Sequence, residues 1–260
     1  MCDEILRQAR WIVINSSAGK DSQAMLDFMA AEVKRLGLAP ERVVVVHADL
    51  GRVEWQGTRE LAEEQAKHYG FRFEVVKNSR RDLLEQVRLR RRWPSSTARY
   101  CTSDHKRGPI RTLFTKLIRE SGPGIIVNCL GLRADESPAR AKKPAFVFDE
   151  QASNGKRKVY NYLPIHSWSK GQVWERIRAS GVRHHPAYDL GMPRLSCCFC
   201  IFSPRAALLV AGKHNPELLN QYVEVEKEIG HKFRMNLSLV EVQEAVQCGE
   251  EVAHVDDWSM

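Results

Sequence analysis

The chain has 260 residues, 43% of them hydrophobic and 28% charged. This is an ordinary globular composition, long enough for one large domain or a domain with an appendage. The formal net charge of +8 points to an acidic partner such as nucleic acid or a phosphorylated ligand. No apolar run approaches the ~18 residues of a membrane span. The charged start, Met1-Cys2-Asp3-Glu4, carries no signal-peptide core, so a cytoplasmic protein with no membrane attachment is expected. Seven cysteines, an odd number, argue against a disulfide scaffold and leave metal binding, redox chemistry or packing.

In chain order, Ile12-Val13-Ile14 predicts a first strand. Apolar residues from Ala24 to Leu36 at three- and four-residue spacing predict a helix closed by Gly37. Val43 to Val46 reads as a strand buried on both faces. Thr58 to Tyr69 predicts a helix stopped by Gly70, and Phe73 to Val76 a third strand. Arg80–Arg92 and Pro109–Ser121 read as helices, and Ile125 to Val127 as a fourth strand. Such alternation predicts an α/β fold with a parallel sheet and crossover helices. Phe146 to Phe148 and Val159 to Tyr162 flank Asn154-Gly155, which predicts a β-hairpin. Ser169 with Gln172 predicts a capping box, opening a helix through Ile177 that ends near Gly181. Asn215-Pro216 predicts another helix start, with its apolar stripe ending at Gly230. The expected division is an α/β core over residues 1–168 and a mainly helical region over 169–260, packed on it.

The segment Ser16-Ser17-Ala18-Gly19-Lys20-Asp21-Ser22 lies between the first strand and the first long helix. A helix start offers N–H groups and a partial positive charge to an anion. Small residues let the backbone approach, Gly19 tolerates a positive φ, and Lys20 adds charge. It is not a Walker A loop, because Ile14 stands where that pattern needs glycine and Asp21 where it needs Ser or Thr.

Ser17 to Ser22 resembles the phosphate loop of PP-loop ATP pyrophosphatases, in the form typical of the phosphoadenosine phosphosulfate (PAPS) reductase-like group. Asp49-Leu50-Gly51 with Glu54 and Thr58, and Arg99-Tyr100-Cys101-Thr102 with Lys106 and Pro109, resemble further segments of that group. So do Gly131 to Ser137 with Arg140, and Tyr162 to Ile165 with Trp168. The resemblance implies an adenine-nucleotide α hydrolase-like fold. ATP would lie with its phosphates on Ser16, Ser17, Ala18, Gly19, Lys20, Asp21 and Ser22, and Asp49, Glu136 and Arg140 would complete the nucleotide site. Lys20, Asp21 and Arg133 are the implied catalytic residues. Mg²⁺ would sit on Asp21 or Asp49. Arg133 and Arg140 would grip phosphate, or else form surface ion pairs with Asp135 or Glu136.

Cys197-Cys198-Phe199-Cys200 offers two sulfurs to one metal across a two-residue gap. The resemblance brings Cys101 to the same corner. That implies a [4Fe–4S] cluster on Cys101, Cys197 and Cys200, with Cys198 a fourth ligand or a core residue. Zn²⁺ and a persulfide relay are the alternatives. Cys2, Cys129 and Cys248 read as packing.

The sulfonucleotide reductases of the group carry a C-terminal Glu-Cys-Gly-x-His segment, whereas this chain has Gln247-Cys248-Gly249-Glu250. The stronger resemblance is to the ATP pyrophosphatases of DNA phosphorothioation (DndC and SspD type). It implies adenylation of a DNA phosphate oxygen, with a cysteine desulfurase as sulfur donor and further modification-system subunits as partners. PAPS reduction, thiolation of tRNA or a small molecule, and a nucleotide-sensing subunit stay open. The basic runs Arg88 to Arg92, Arg140 to Lys143 and Lys156 to Lys158 would contact phosphates, with Trp93 or Tyr100 stacking on a base. His166 and the pair His184-His185 read as loop structure, His185 being the candidate for metal or base chemistry.

Overall fold

The computed structural model describes residues 2–258. In chain order the elements are α1 (Cys2–Gln8), β1 (Trp11–Ser16), α2 (Lys20–Arg35), β2 (Val43–Ala48), α3 (Thr58–His68), β3 (Arg72–Val76) and α4 (Leu83–Arg90). Then come α5 (Tyr100–Thr102), continued by a wide turn over Ser103–Arg107, α6 (Gly108–Ser121), β4 (Gly124–Cys129), α7 (Pro138–Ala141), β5 (Phe146–Phe148) and β6 (Arg157–Tyr162). Four helices complete the chain: α8 (Lys170–Ser180), α9 (Arg205–His214), α10 (Pro216–Ile229) and α11 (Leu239–Gln247). Among the described residues no helix is long and apolar enough to cross a membrane.

The chain forms two compact units. The first takes residues 1–49, 57–76 and 108–185; the second takes 50–56, 77–107 and 186–260. The expected contiguous cut at 168/169 differs from this division. The segment carrying α8 belongs to the first unit, where Val173 and Ile177 share a core with Met25, Met29 and Val33 of α2.

The first unit is a six-stranded sheet of order β3-β2-β1-β4-β6-β5. Its neighbours run parallel except the β5–β6 pair, the expected hairpin. Period-two alternation splits each apolar run between two cores. Ile12, Ile14, Val43, Val45 and Val127 face one core, which also holds side chains of α1, α2 and α8. Val13, Val44, Val46, Ile126 and Val159 face the other, with Leu113, Phe114 and Leu117 of α6. Strand order reverses between β1 and β4, so the loops after these two strands flank the point where open α/β sheets bind ligands.

The second unit is helical around one core. Trp93 stacks on Tyr222 at 5.4 Å between ring centroids, and Phe233 meets Trp93 edge-on at 5.2 Å. The expected capping box at Ser169 and Gln172 is present, and Gly181 ends α8. Pro216 opens α10 as expected, but Asn215 does not cap it through its side chain. Its Nδ2 donates to the Ala211 carbonyl of α9 instead, at 3.0 Å. The helix expected over Arg80–Arg92 is shorter, because Asp82 caps it by bonding the Glu85 N–H.

Candidate active site

At the carboxyl end of β1 the chain turns through residues 17–19 into α2. The helical ladder starts with the Gln23 N–H donating to Gly19 O at 2.9 Å, so the N–H groups of Lys20, Asp21 and Ser22 lie ahead of it. The Ser22 hydroxyl closes the turn: it donates to Gly19 O at 2.9 Å and accepts from Ser17 N at 3.2 Å. The left-handed residue is Ala18, at φ 54°, whereas Gly19 is extended at φ −78°. This corrects the expectation for Gly19. The sharp reversal precedes the helix by one more residue, and Ala, with only a methyl, can adopt it.

Asp21 sits between two buried cations. Lys20 Nζ lies 3.3 Å from its Oδ2, and Arg133 Nε donates to its Oδ1 at 2.6 Å. Arg133 also pairs with Asp135 through Nη1 and donates to the Trp168 carbonyl at 3.3 Å. Burial disfavours the charged guanidinium, but the Asp21 and Asp135 carboxylates more than offset this, so the Arg133 pKa is raised. The reading of Arg133 as a surface ion pair is therefore corrected: its side chain is 4% exposed. Arg140 pairs with Glu136, whose Oε2 also accepts the Arg133 backbone N–H at 2.9 Å. Gly131, in the loop after β4, abuts the first turn of α2. Lys20, Asp21, Arg133, Glu136 and Arg140 thus lie together in the first unit. Two buried positive side chains meet at one carboxylate beside a helix start, an arrangement that suits an anion. Asp49 lies just beyond β2, its N–H donating to the Val76 carbonyl at 2.8 Å.

Sequence reasoning missed two features of this edge. His47, at the end of β2, is buried, with Nδ1 3.0 Å from the Ser16 carbonyl. Its only sequence signal is a polar residue inside an apolar run. The second is a ladder of side-chain amides: Asn15 donates to Asn128 at 2.7 Å, Asn128 to Asn161 at 2.8 Å, and Asn161 to Asp149 at 2.9 Å. His185 is buried, with Nε2 3.2 Å from the Thr58 hydroxyl.

In the second unit, Cys101 comes from α5, and Cys197, Cys198 and Cys200 from the loop before α9. Burial pushes the Cys197 thiol well above its ordinary range, with the Cys200 and Cys101 charges adding to the rise. Cys200 is raised by burial and by Cys101, while Lys106 and Arg99 pull it down. Cys198 is fully buried in the apolar core, and burial pushes its thiol up to about 12. Its backbone N–H holds the Val53 carbonyl at 2.9 Å. Three soft donors among Arg99, Lys106 and Arg234 fit a metal–sulfur group with net negative charge, because thiolate binding overcomes the cost of ionising buried thiols.

Several expectations fail on packing grounds. Cys129 is buried as expected, but Cys248 is exposed at the end of α11. Trp93 and Tyr100 cannot stack on a base. Trp93 lies against Tyr222 with its indole N–H on the His231 carbonyl, and the Tyr100 hydroxyl donates to the Arg92 carbonyl at 2.6 Å. Arg88 pairs with Glu228 at 2.6 Å and Arg90 with Asp104 at 3.4 Å, so the first basic run is partly neutralised. In the third run Arg157 turns inward, donating to the Ala152 carbonyl at 2.8 Å. Lys142, Lys143, Lys156 and Lys158 are exposed.

The chain is similar to the adenosine 5'-phosphosulfate reductase of Allochromatium vinosum, at 29% identity over 204 residues, 77% of this chain and 72% of that one. It is 27% identical over 165 residues to an uncharacterized 37.8 kDa protein of Escherichia phage 186, covering 64% of this chain and 48% of the phage protein. An uncharacterized Methanocaldococcus jannaschii protein is 28% identical over 188 residues, 72% of this chain and 42% of that one. The chain thus spans about half or less of the phage and archaeal relatives. Among solved structures, PAPS reductase from Candida auris shares the fold with a TM-score of 0.51 and 18% identity, over 75% of this chain and 87% of that one. The family model for the phosphoadenosine phosphosulfate reductase domain matches residues 11–203, taking in the phosphate loop, Arg133 and all four clustered cysteines. The chain therefore belongs to the phosphoadenosine phosphosulfate reductase domain family.

Proposed function

We propose that the protein cleaves ATP between its α- and β-phosphates and adenylates a phosphate oxygen of the DNA backbone, activating it for sulfur. The observation that carries this reading is the buried Lys20–Asp21–Arg133 arrangement at the start of α2. A non-bridging DNA oxygen attacks the α-phosphorus, and the bond to the β-phosphate breaks. Pyrophosphate leaves with added negative charge, which Lys20, Arg133 and the first N–H groups of α2 are aimed to offset. Asp21 keeps the two cations apart and oriented. A hydrosulfide-level sulfur then attacks the activated phosphorus, AMP departs with the original oxygen, and a phosphorothioate remains. No net oxidation occurs. Iron–sulfur chemistry on Cys101, Cys197 and Cys200 supplies, when the group is bound, a metal site able to hold that sulfur. A cysteine desulfurase is the class of donor: its persulfide sulfur becomes hydrosulfide by two-electron reduction with a thiol that ends as a disulfide, and further modification subunits would deliver the DNA. Exposed Lys142, Lys143, Lys156 and Lys158 support contact with phosphates. The terminal Gln247-Cys248-Gly249-Glu250 supports activation over reduction, since it lacks the reductase Glu and His.

A second reading, reduction of adenosine 5'-phosphosulfate, draws on the Allochromatium relative and on the exposed thiol of Cys248. The test is anaerobic incubation with ATP and Mg²⁺, with and without single-stranded DNA. Release of AMP and pyrophosphate, raised by DNA and lost in Lys20→Ala, is the expected result. ADP with inorganic phosphate refutes the assignment. Cys248→Ser leaves ATP cleavage intact under the first reading and abolishes turnover under the second. DNA affinity should fall with rising salt, and less steeply in a Lys142→Ala/Lys143→Ala variant.

A further inference from the structure

The cysteine corner holds an unusual set of polar atoms. Among the described residues, Nε of Arg99, Nε of Arg234, the Tyr222 hydroxyl and the Ser203 hydroxyl are all buried without a hydrogen-bond partner. Tyr222 is 1% exposed and Ser203 0%. Each buried orphan costs about 1–3 kcal/mol, so four in one helical unit are too expensive to keep without a return. The cysteines are what most of them share. The Tyr222 ring lies 5.0 Å from that of Phe199, the residue between Cys198 and Cys200, and Arg234 binds the carbonyls of residues 201 and 203 just after Cys200. Ser203 is tied to the same loop, its N–H donating to the Cys200 carbonyl at 3.0 Å.

Arg234 is held in place by that loop. Its Nη1 donates to the Ser203 carbonyl at 2.8 Å and to the Ile201 carbonyl at 3.5 Å. The guanidinium is therefore fixed on the segment that carries Cys200, with Nε left over. Tyr222 is fixed from the other side by Trp93, Phe199 and Phe233. The rings packed on Tyr222 offer its hydroxyl no acceptor, and a group held by the cysteines would supply one. All four atoms can donate, and an anionic sulfur is an acceptor.

We propose that the Tyr222 O–H and the Arg234 Nε–H donate hydrogen bonds to the sulfurs of the metal–sulfur group bound by Cys101, Cys197 and Cys200, and so raise its reduction potential. This rests on the iron–sulfur reading above. Donors to cluster sulfurs stabilise the more negative, reduced state, which is why they move the potential upward. Tyr222 and Arg234 lie beyond residue 203, outside the segment that defines the family. Both are positioning residues, Tyr222 on α10 and Arg234 in the segment between α10 and α11.

The test uses the full chain reconstituted anaerobically with iron and sulfide, followed by dye-mediated redox titration. Tyr222→Phe keeps the ring and its stacking and deletes only the hydroxyl. Its midpoint should lie more negative than wild type, while the metal-free variant is as stable as wild type or more so, because an orphan has been removed. Arg234→Met should shift the midpoint in the same direction. Midpoints equal to wild type in both variants, with the cluster present in each, overturn the proposal. A wild-type chain that takes up no iron and sulfide overturns the iron–sulfur reading, and this inference falls with it.

Discussion

Gly131 packs against the backbone of Asp21: a Cβ added to Gly131 would lie 3.0 Å from the Asp21 carbonyl oxygen and 3.1 Å from the Ser22 nitrogen. These are backbone atoms, which cannot swing aside as a side chain can. Gly131→Ala must therefore push the loop after β4 away from the first turn of α2. We expect a stability loss of about 1–3 kcal/mol, read as a lower urea midpoint, with weakened ATP binding in calorimetry. An unchanged midpoint and affinity would show that the two loops move independently.

Asp21 offsets two cations whose side chains are 2% and 4% exposed. Asp21→Asn leaves both in place without their shared countercharge. Breaking one partner of a buried pair costs about 3–5 kcal/mol, so a large drop in the urea midpoint is expected. Added pyrophosphate should then restore more stability to the variant than to wild type, since the anion replaces the missing charge. Equal rescue of both proteins would argue against an anion site here.

Ala18 holds φ 54° while fully buried. Ala18→Gly removes left-handed strain of about 1–2 kcal/mol and loses about 0.8 kcal/mol of methyl burial, along with a similar amount of backbone entropy. The terms nearly cancel, so the variant should unfold within about 1 kcal/mol of wild type. Ala18→Val adds a β-branched side chain to the same conformation and should be far less stable. Comparable stability for the valine variant would mean that the turn is not left-handed in solution.

Burial lowers the pKa of His105 below its ordinary value near 6.5, although the Asp104 and Asp82 carboxylates oppose the shift. Its Nε2 meets the Gln86 side-chain oxygen at 2.5 Å. The unfolded chain therefore takes up this proton first as pH falls. The neutral ring's contribution to stability is complete above about pH 6.5 and declines below it, down to the lowered folded value. Urea midpoints at pH 7.5 and 5.5 should differ less in His105→Gln than in wild type. An identical pH dependence would show that His105 is solvated.

The parallel sheet was legible because doubly buried strands read as unbroken apolar runs, as Val43 to Val46 does. The turn into α2 was legible because small residues between a strand and a helix leave the chain room to reverse. Helix α9 was not, since Ala206 to Ala211 is apolar throughout and shows no period. The second unit was invisible for a related reason: residues 50–56 and 77–107 join 186–260 only through tertiary packing. Trp93 and Tyr100 were misread because an aromatic beside a basic run can face either way, and only the packing around Tyr222 decides it. The amide ladder depends on register, with Asn128 opposite Asn161, and register cannot be read from one strand.

That ladder has a direction. Asp149 only accepts, so Asn161 must turn its amino group to it, Asn128 must follow, and so must Asn15. The carboxylate beside the outermost strand and the Cys129 carbonyl beside Asn15 agree on which atom Asn15 has left, a carbonyl oxygen with no partner among the described residues. The Asn15 amino group also donates to the Cys129 carbonyl at 2.9 Å, so the ladder is pinned at both ends, and Asp149→Asn should leave all three orientations and single NMR amide signals in place. The orientation of Asn15, on the strand that leads into the turn before α2, is thus tied to a carboxylate three strands away.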